Sequence, residues 1–306
     1  MTDQTNDQAP QVDANAPKSA EQPDRVGLAK FLYSMGLLRE SPAAMIGVTV
    51  ITFWVFIAIF ADVVTVYEPN ANDYAATLKL PFSGGDHWLG TDLLGRDTWS
   101  RLAYGARATL IIAPTAMVCA YFLGIVMGML AGYYGGWVDN LISRVSDIIL
   151  SFPLIILFII IISVFGASAL NIIIAVTLAA SPGIGRIVRG LTLDLRNLEY
   201  VSAAQIRGEW GLYIMAIELL PNARGPLIVD ACLRMGYTII TIGILGFLGL
   251  GLPPPDPDWG GMVKDGAAMV LGGSPEMAII ASIAISSLVI GFNLLADGLR
   301  EISTRD

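Results

Sequence analysis

The sequence predicts an all-α polytopic membrane protein with six transmembrane helices, and three observations carry that class. The 306-residue chain is 55% hydrophobic and 14% charged, against roughly 25% charged residues in an ordinary soluble domain. Five uncharged runs, residues 41–61, 108–138, 148–185, 235–255 and 277–296, each meet the roughly 20 apolar residues needed to cross a bilayer. The third run would extend about 57 Å as helix at ~1.5 Å per residue, close to twice the hydrocarbon thickness, so it is read as two spans.

Residues 1–25 are rich in Asp, Gln, Asn, Ala and Pro with little to bury, the composition of a disordered tail. Residues 26–40 suit either a short helix lying in the membrane interface or a simple lead-in to the first span. No cleaved signal peptide is expected, because the first apolar run begins only after residue 40 and no short basic segment precedes it. A polar loop at 62–105 separates the first two spans. In the third run Gly166, Ala167 and Ser168 offer the turn, with one span starting near Leu141 and the next closing near Ile187. A charged segment at 190–225 follows, with Pro221 and Pro226 placed to end its second helix and bracket re-entry into the membrane. The loop at 253–276, extended at its start by prolines, precedes the last span. The whole of 41–306 forms one transmembrane domain.

Six spans put both termini on one side. With cytoplasmic termini, twelve of the 18 Lys and Arg residues fall on that side or at its helix ends, five fall outside, and Arg234 is intramembrane, which favours this orientation.

Several classes are excluded. The net charge of −8 and the lack of a basic patch exclude a nucleic-acid partner. There is no phosphate-binding loop, HExxH or GxSxG, so a self-contained enzyme is not expected and no catalytic residue is assigned. His87 is the single histidine and no second ligand completes a metal site around it, so no metal is assigned. Cys119 and Cys232 fall in spans as small hydrophobes, without a CxxC.

Charged residues near or inside spans fall into two sets. Arg144 with Asp147, and Asp230 with Arg234, have spacings that place each pair on one helical face, as local ion pairs or as part of a transport path. The gap 199–222, "EYVSAAQIRGEWGLYIMAIELLPN", reads as a surface helix, a turn and a second helix, with Val201, Ala204, Gly208, Leu212 and Met215 near one stripe. Small residues Ala203, Ala204 and Gly208 would admit the backbone of a partner protein.

At these residues the chain resembles a known family. Ala203–Ala204, a Gly four residues later at 208, and Leu219–Leu220–Pro221 resemble the EAA loop of ATP-binding-cassette (ABC) importer permeases. Ser202, Glu218, Arg207 and Glu209 are departures within it. "HWLGTDLLGRDTWSRLAYGAR", "GFLGLGLPPPDPDWGGMV" and the ending "GFNLLADGLREISTRD" look like the C-type permeases of dipeptide and oligopeptide importers, over nearly everything beyond Leu37. The resemblance implies a type I ABC importer permease in a bacterial inner membrane. It also implies a homologous second permease, two cytoplasmic ATPase subunits that bind ATP and Mg, and an extracytoplasmic substrate-binding protein. Glu199, Ala203, Ala204, Gly208, Leu220 and Pro221 would then contact the ATPase, and a bulky residue at Gly208 would uncouple ATP hydrolysis from uptake. Gly90, Asp92, Gly95, Arg96, Asp97 and Arg101 would brace the outer surface or meet the binding protein. The glycines of the fifth span, from Gly236 to Gly251, serve packing rather than substrate contact. Peptide, nickel chelate, opine and oligosaccharide all stay open as substrates. An ion-coupled carrier working without an ATPase is the reading from another class.

Overall fold

A computed structural model of the chain describes residues 41–83 and 87–303. The tail and interfacial helix expected before residue 41 lie outside the described residues. The long helices are α1 (Pro42–Ile59), α2 (Thr98–Tyr134), α3 (Gly136–Ser151), α4 (Leu154–Phe165), α5 (Ala169–Leu195), α6 (Glu199–Ile206), α7 (Gly211–Phe247), α8 (Trp259–Met269) and α9 (Glu276–Ser303). Five are long and apolar enough to cross a membrane, six if the bent pair α3–α4 counts as one span.

That pair corrects the expected straight third span. The turn at 166–168 forms as expected, with Gly166 at φ 87° and Ser168 capping α5 through the Asn171 N–H. Upstream, however, the chain breaks at Phe152–Pro153 and bends by 89°. Pro153 has no N–H to give a helix and its ring pushes Phe152 into extended backbone, ψ 136°, so the helix ends at Ser151. Only α4, about 18 Å at ~1.5 Å per residue, continues towards the turn.

A second correction falls at Pro221, which does not end a helix. The chain is helical from Gly211 to Phe247, with a π-helical stretch at Ile214–Leu219. There the Leu220 N–H bonds to Met215 O, one residue further back than in an α-helix. The widened turn just before Pro221 accommodates a residue that cannot donate.

Close helix pairing holds the bundle. Gly124, Gly128 and Gly132 on α2 recur every fourth residue and meet Ile184, Val188 and Thr192 on α5, also four apart; a Cβ at Gly128 would lie 2.5 Å from both Gly185 O and Val188 Cβ. Small residues let the two backbones approach to this degree, and dispersion then does the work that hydrophobicity cannot do in lipid. Gly47 on α1 sits against the backbone of Gly291 and Leu295 on α9, and Gly298 against Ala44. The start of the first span therefore lies beside the end of the last, as an even number of crossings requires.

Two apolar cores result. One gathers Trp54, Leu102, Ile172, Ile239, Trp259 and Leu288 at the end bearing α8; Trp54 donates to Ser287 Oγ at 2.8 Å and meets Trp259 edge-on at 4.8 Å. The other gathers Met129, Ile184, Val188, Val201, Ile214 and Leu219 at the end bearing α6. Packing also accounts for the fifth-span glycines: a Cβ at Gly246 would fall 2.1 Å from Asp258 Oδ2, and one at Gly260 would fall 2.2 Å from Gly243 O.

Candidate functional site

The helix α6 starts without a side-chain cap at Leu198, and Glu199 in its first turn complements the positive end of its dipole. It ends on Gly208 at φ 77°. The Gly208 N–H bonds to Gln205 O and the Glu209 N–H to Ala204 O, the paired bonds of a Schellman termination, which needs a left-handed residue here. Arg207 then bonds Glu209 at 2.7 Å and Glu218 at 3.3 Å. These contacts fold the turn back onto the start of α7 and hold the guanidinium above its ordinary range, chiefly through the Glu209 hydrogen bond.

The result is a helix with two unlike faces. Val201 and Ala204 are wholly buried in the second core against Ile214, Met215 and Leu219. Ala204 therefore cannot admit a partner's backbone, in contrast to the expectation from its size alone: it lets α6 lie close against its own bundle. Leu220 also packs on that core. Glu199, Ala203, Gly208 and Pro221 are exposed, and no heavy atom lies within 4 Å of the position a Gly208 Cβ would take. Beside them Ile206 and Trp210 are 87% and 80% exposed. Gly208, Glu209, Trp210 and Tyr213 line a recess of about 420 Å³. The sequence reading missed Ile206 and Trp210. Their signal was available: large apolar side chains at the rim of a charged turn, left uncovered among the described residues.

The motif at 90–101 forms a polar knot at the other end. Asp92 accepts from the Leu94 and Arg96 N–H groups and from Arg96 Nε at 2.6 Å. Asp97 caps α2 through Ser100 and bonds His87 Nδ1 at 2.9 Å, while the His87 ring stacks on Tyr67 at 4.5 Å. Arg101 Nη1 reaches Pro69 O, Asn70 Oδ1 and Pro255 O, joining the two loops of this end. Gly90 and Gly95 both have φ 74°, and a Cβ at either would strike the carbonyl of Lys79 or Asp73. Asp92, Asp97 and Arg101 are buried and tie this end of the fold together, while Leu93 and Leu94 between them are exposed.

The two expected ion pairs fare differently. Asp230 bonds Arg234 Nε at 2.7 Å and also accepts from the Tyr121 hydroxyl. Asp147 pairs with Arg186 of α5 at 2.5 Å, not with Arg144, and Asp139 takes Arg189 with two bonds of 2.6 Å. The α3 acids face the neighbouring helix α5, which carries better-placed arginines than their own helix, and tie the bent segment to it.

Residues 124–306 match the family described as binding-protein-dependent transport system inner membrane component, and residues 36–81 match the N-terminal transmembrane domain of oligopeptide transport permease C. The chain belongs to this permease family. The permease is 39% identical over 267 residues to the dipeptide transport system permease protein DppC of Alkalihalophilus pseudofirmus, covering 86% of each chain. It is 38% identical over 266 residues to the glutathione transport system permease protein GsiD of Pectobacterium atrosepticum, covering 86% of this chain and 87% of that one. Its fold is similar to a chain of the MetNI methionine ABC transporter solved in inward-facing conformations, with a TM-score of 0.54 at 18% identity over 67% of this chain and 96% of the other. The permease is thus a multi-pass inner-membrane protein with the type I ABC permease architecture.

Proposed function

We propose that this permease forms one half of the translocation path of an ATP-driven importer for peptides or a related small solute. A second, homologous permease would complete the path, two ATPase subunits would bind ATP and Mg²⁺ beneath it, and an extracytoplasmic binding protein would deliver the solute. The peptide class rests on the dipeptide and glutathione permeases it resembles. Cytoplasmic termini, favoured by the distribution of Lys and Arg, put α6 on the ATPase side.

The observation that carries this reading is the division of α6 into a buried face and an exposed one. A short helix locked to the bundle by Val201 and Ala204, ended by Gly208 and fixed to α7 by Arg207 moves as a unit with the fifth span. Its free face, with Ala203, Ile206 and Trp210, suits seating in a partner's groove, in the manner of helix-in-groove recognition.

Gly208→Val tests it. Left-handed backbone costs a residue with a Cβ ~1–2 kcal/mol, which shifts the turn away from its docked geometry by about tenfold. The variant should insert and assemble at normal levels, while solute imported per ATP hydrolysed in proteoliposomes falls by about tenfold. Uptake at the wild-type ratio would contradict the proposal.

A further inference from the structure

One polar cluster inside the membrane is left unused by the coupling account. Asp230 and Arg234 lie one turn apart on α7, thirteen residues before its end at Phe247. Ionisable groups at such a depth are costly unless they meet partners or water, and mark functional positions by default. Asp230 takes only one of the guanidinium nitrogens, Arg234 Nε, on Oδ2, and the same oxygen accepts from the hydroxyl of Tyr121 on α2. No carboxylate among the described residues other than Asp230 pairs with Arg234, so Nη1 and Nη2 carry no second acid. Both lie beside Gly183 of α5, where a Cβ would come within 3.5 Å of Nη1. The arginine lines an open cavity of about 250 Å³ together with Thr238, Thr241 and Tyr237 of α7 and apolar walls that include Phe158 and Val176. Tyr237 is 70% exposed. A tyrosine and two threonines line the same opening on a helix otherwise made for lipid or packing.

We propose that Arg234 binds the carboxylate of a solute in transit, presenting Nη1 and Nη2 to it as a fork while Asp230 and Tyr121 hold the guanidinium in place. Two parallel N–H donors match the two oxygens of a carboxylate and bind it more strongly than a neutral amide. Asp230 offsets the resident charge, so the site attracts an anion without trapping it. Thr238 and Thr241, one and two turns beyond Arg234, offer hydroxyls for the rest of the solute. The inference rests on the importer reading above, because it needs solute to pass between the spans.

The test uses the complete transporter and two probes, dialanine and its C-terminal amide. Equilibrium binding to the transporter in nanodiscs, without the binding protein, should favour dialanine over the amide by about tenfold or more, the scale of a charge-assisted pair. Arg234→Gln should abolish that preference. Because the single change leaves Asp230 without its cation, the charge-balanced double variant Asp230→Asn/Arg234→Gln is measured beside it. It too should bind both probes alike, in transporter that assembles at the wild-type level. A preference that survives in the double variant, or no preference in the wild type, overturns the inference. ATP-driven uptake into proteoliposomes separates the two claims: Arg234-dependent binding without any dialanine uptake by the wild type would sink the peptide class proposed above and leave the binding site standing.

Discussion

Asp92 shows how much of the permease rests on single polar residues. Its carboxylate is 1% exposed, collects two backbone N–H groups and Arg96 Nε, and stands 3.9 Å from Arg101 Nε. Removing one partner of a buried charged set leaves the others uncompensated, at ~3–5 kcal/mol. Asp92→Ala should therefore lower the thermal midpoint of the purified permease in detergent by several degrees; an unchanged midpoint would show that the motif does not brace the fold. Asp62 supplies a milder case at the surface. It accepts from Arg107 at 2.8 Å and from Tyr104 at 2.6 Å, and the Arg107 bond above all holds its carboxyl down at about 2, from an ordinary 3.8. A depressed folded-state value means that the unfolded chain binds the proton more readily, so the contribution is complete above about pH 4 and fades between there and about pH 2. The difference in stability between wild type and Asp62→Asn should be flat from pH 7 to 5 and start to shrink only below 4. A difference that changes between pH 7 and 5 would contradict this.

Among the elements, the α2–α5 pair carries the tightest packing. At Gly128 a methyl would meet Gly185 O and Val188 at 2.5 Å, whereas at Gly190 on α5 nothing stands within 4 Å. Gly128→Ala should destabilise by ~1–3 kcal/mol through overpacking. Gly190→Ala should stabilise by ~0.5–1 kcal/mol, since Ala restricts the unfolded chain and favours helix. Chemical denaturation of the two variants reads the opposite signs directly; a matching sign would refute the packing argument. The ladder was legible, since Gly124, Gly128 and Gly132 recur at a helical four-residue period, but the sequence reading counted that run only for its length. The five spans that form as single helices, the turn at 166–168 and the polar helix–turn–helix segment at 199–222 were also legible, because each is local: apolar length, a Gly–Ala–Ser triplet, a charged interruption. The bend at Pro153 and the continuation through Pro221 were not. A proline ends a helix in one place and sits in a widened turn in the other, and only tertiary packing decides which. The inward face of Ala204 and the pairing of Asp147 with Arg186 failed for the same reason, since a residue's partners on other helices do not follow from its own spacing.

At the scale of the whole molecule, the permease has two ends that are built differently. The end with α8 is braced by a buried polar knot and by paired tryptophans. The end with α6 presents exposed apolar residues on a helix tied rigidly to the fifth span. Between them the cavity at Arg234 opens among α2, α3, α4, α5 and α7. A movement imposed on α6 passes first to α7, the helix that carries Arg234, Thr238 and Thr241. Under the proposed function, coupling and solute path would share this element, a physical route from a partner's closure to a change around the solute. The central claim is that the outer face of α6 seats in a partner ATPase. Site-directed cross-linking tests it most directly, in the complete transporter with Cys119 and Cys232 replaced, using single cysteines at Ala203 on the exposed face and Ala204 on the buried one. The account predicts a cross-link from position 203 to the ATPase subunit, changing in yield with ATP, and none from position 204. Active transporter that yields no cross-link from position 203 would contradict it.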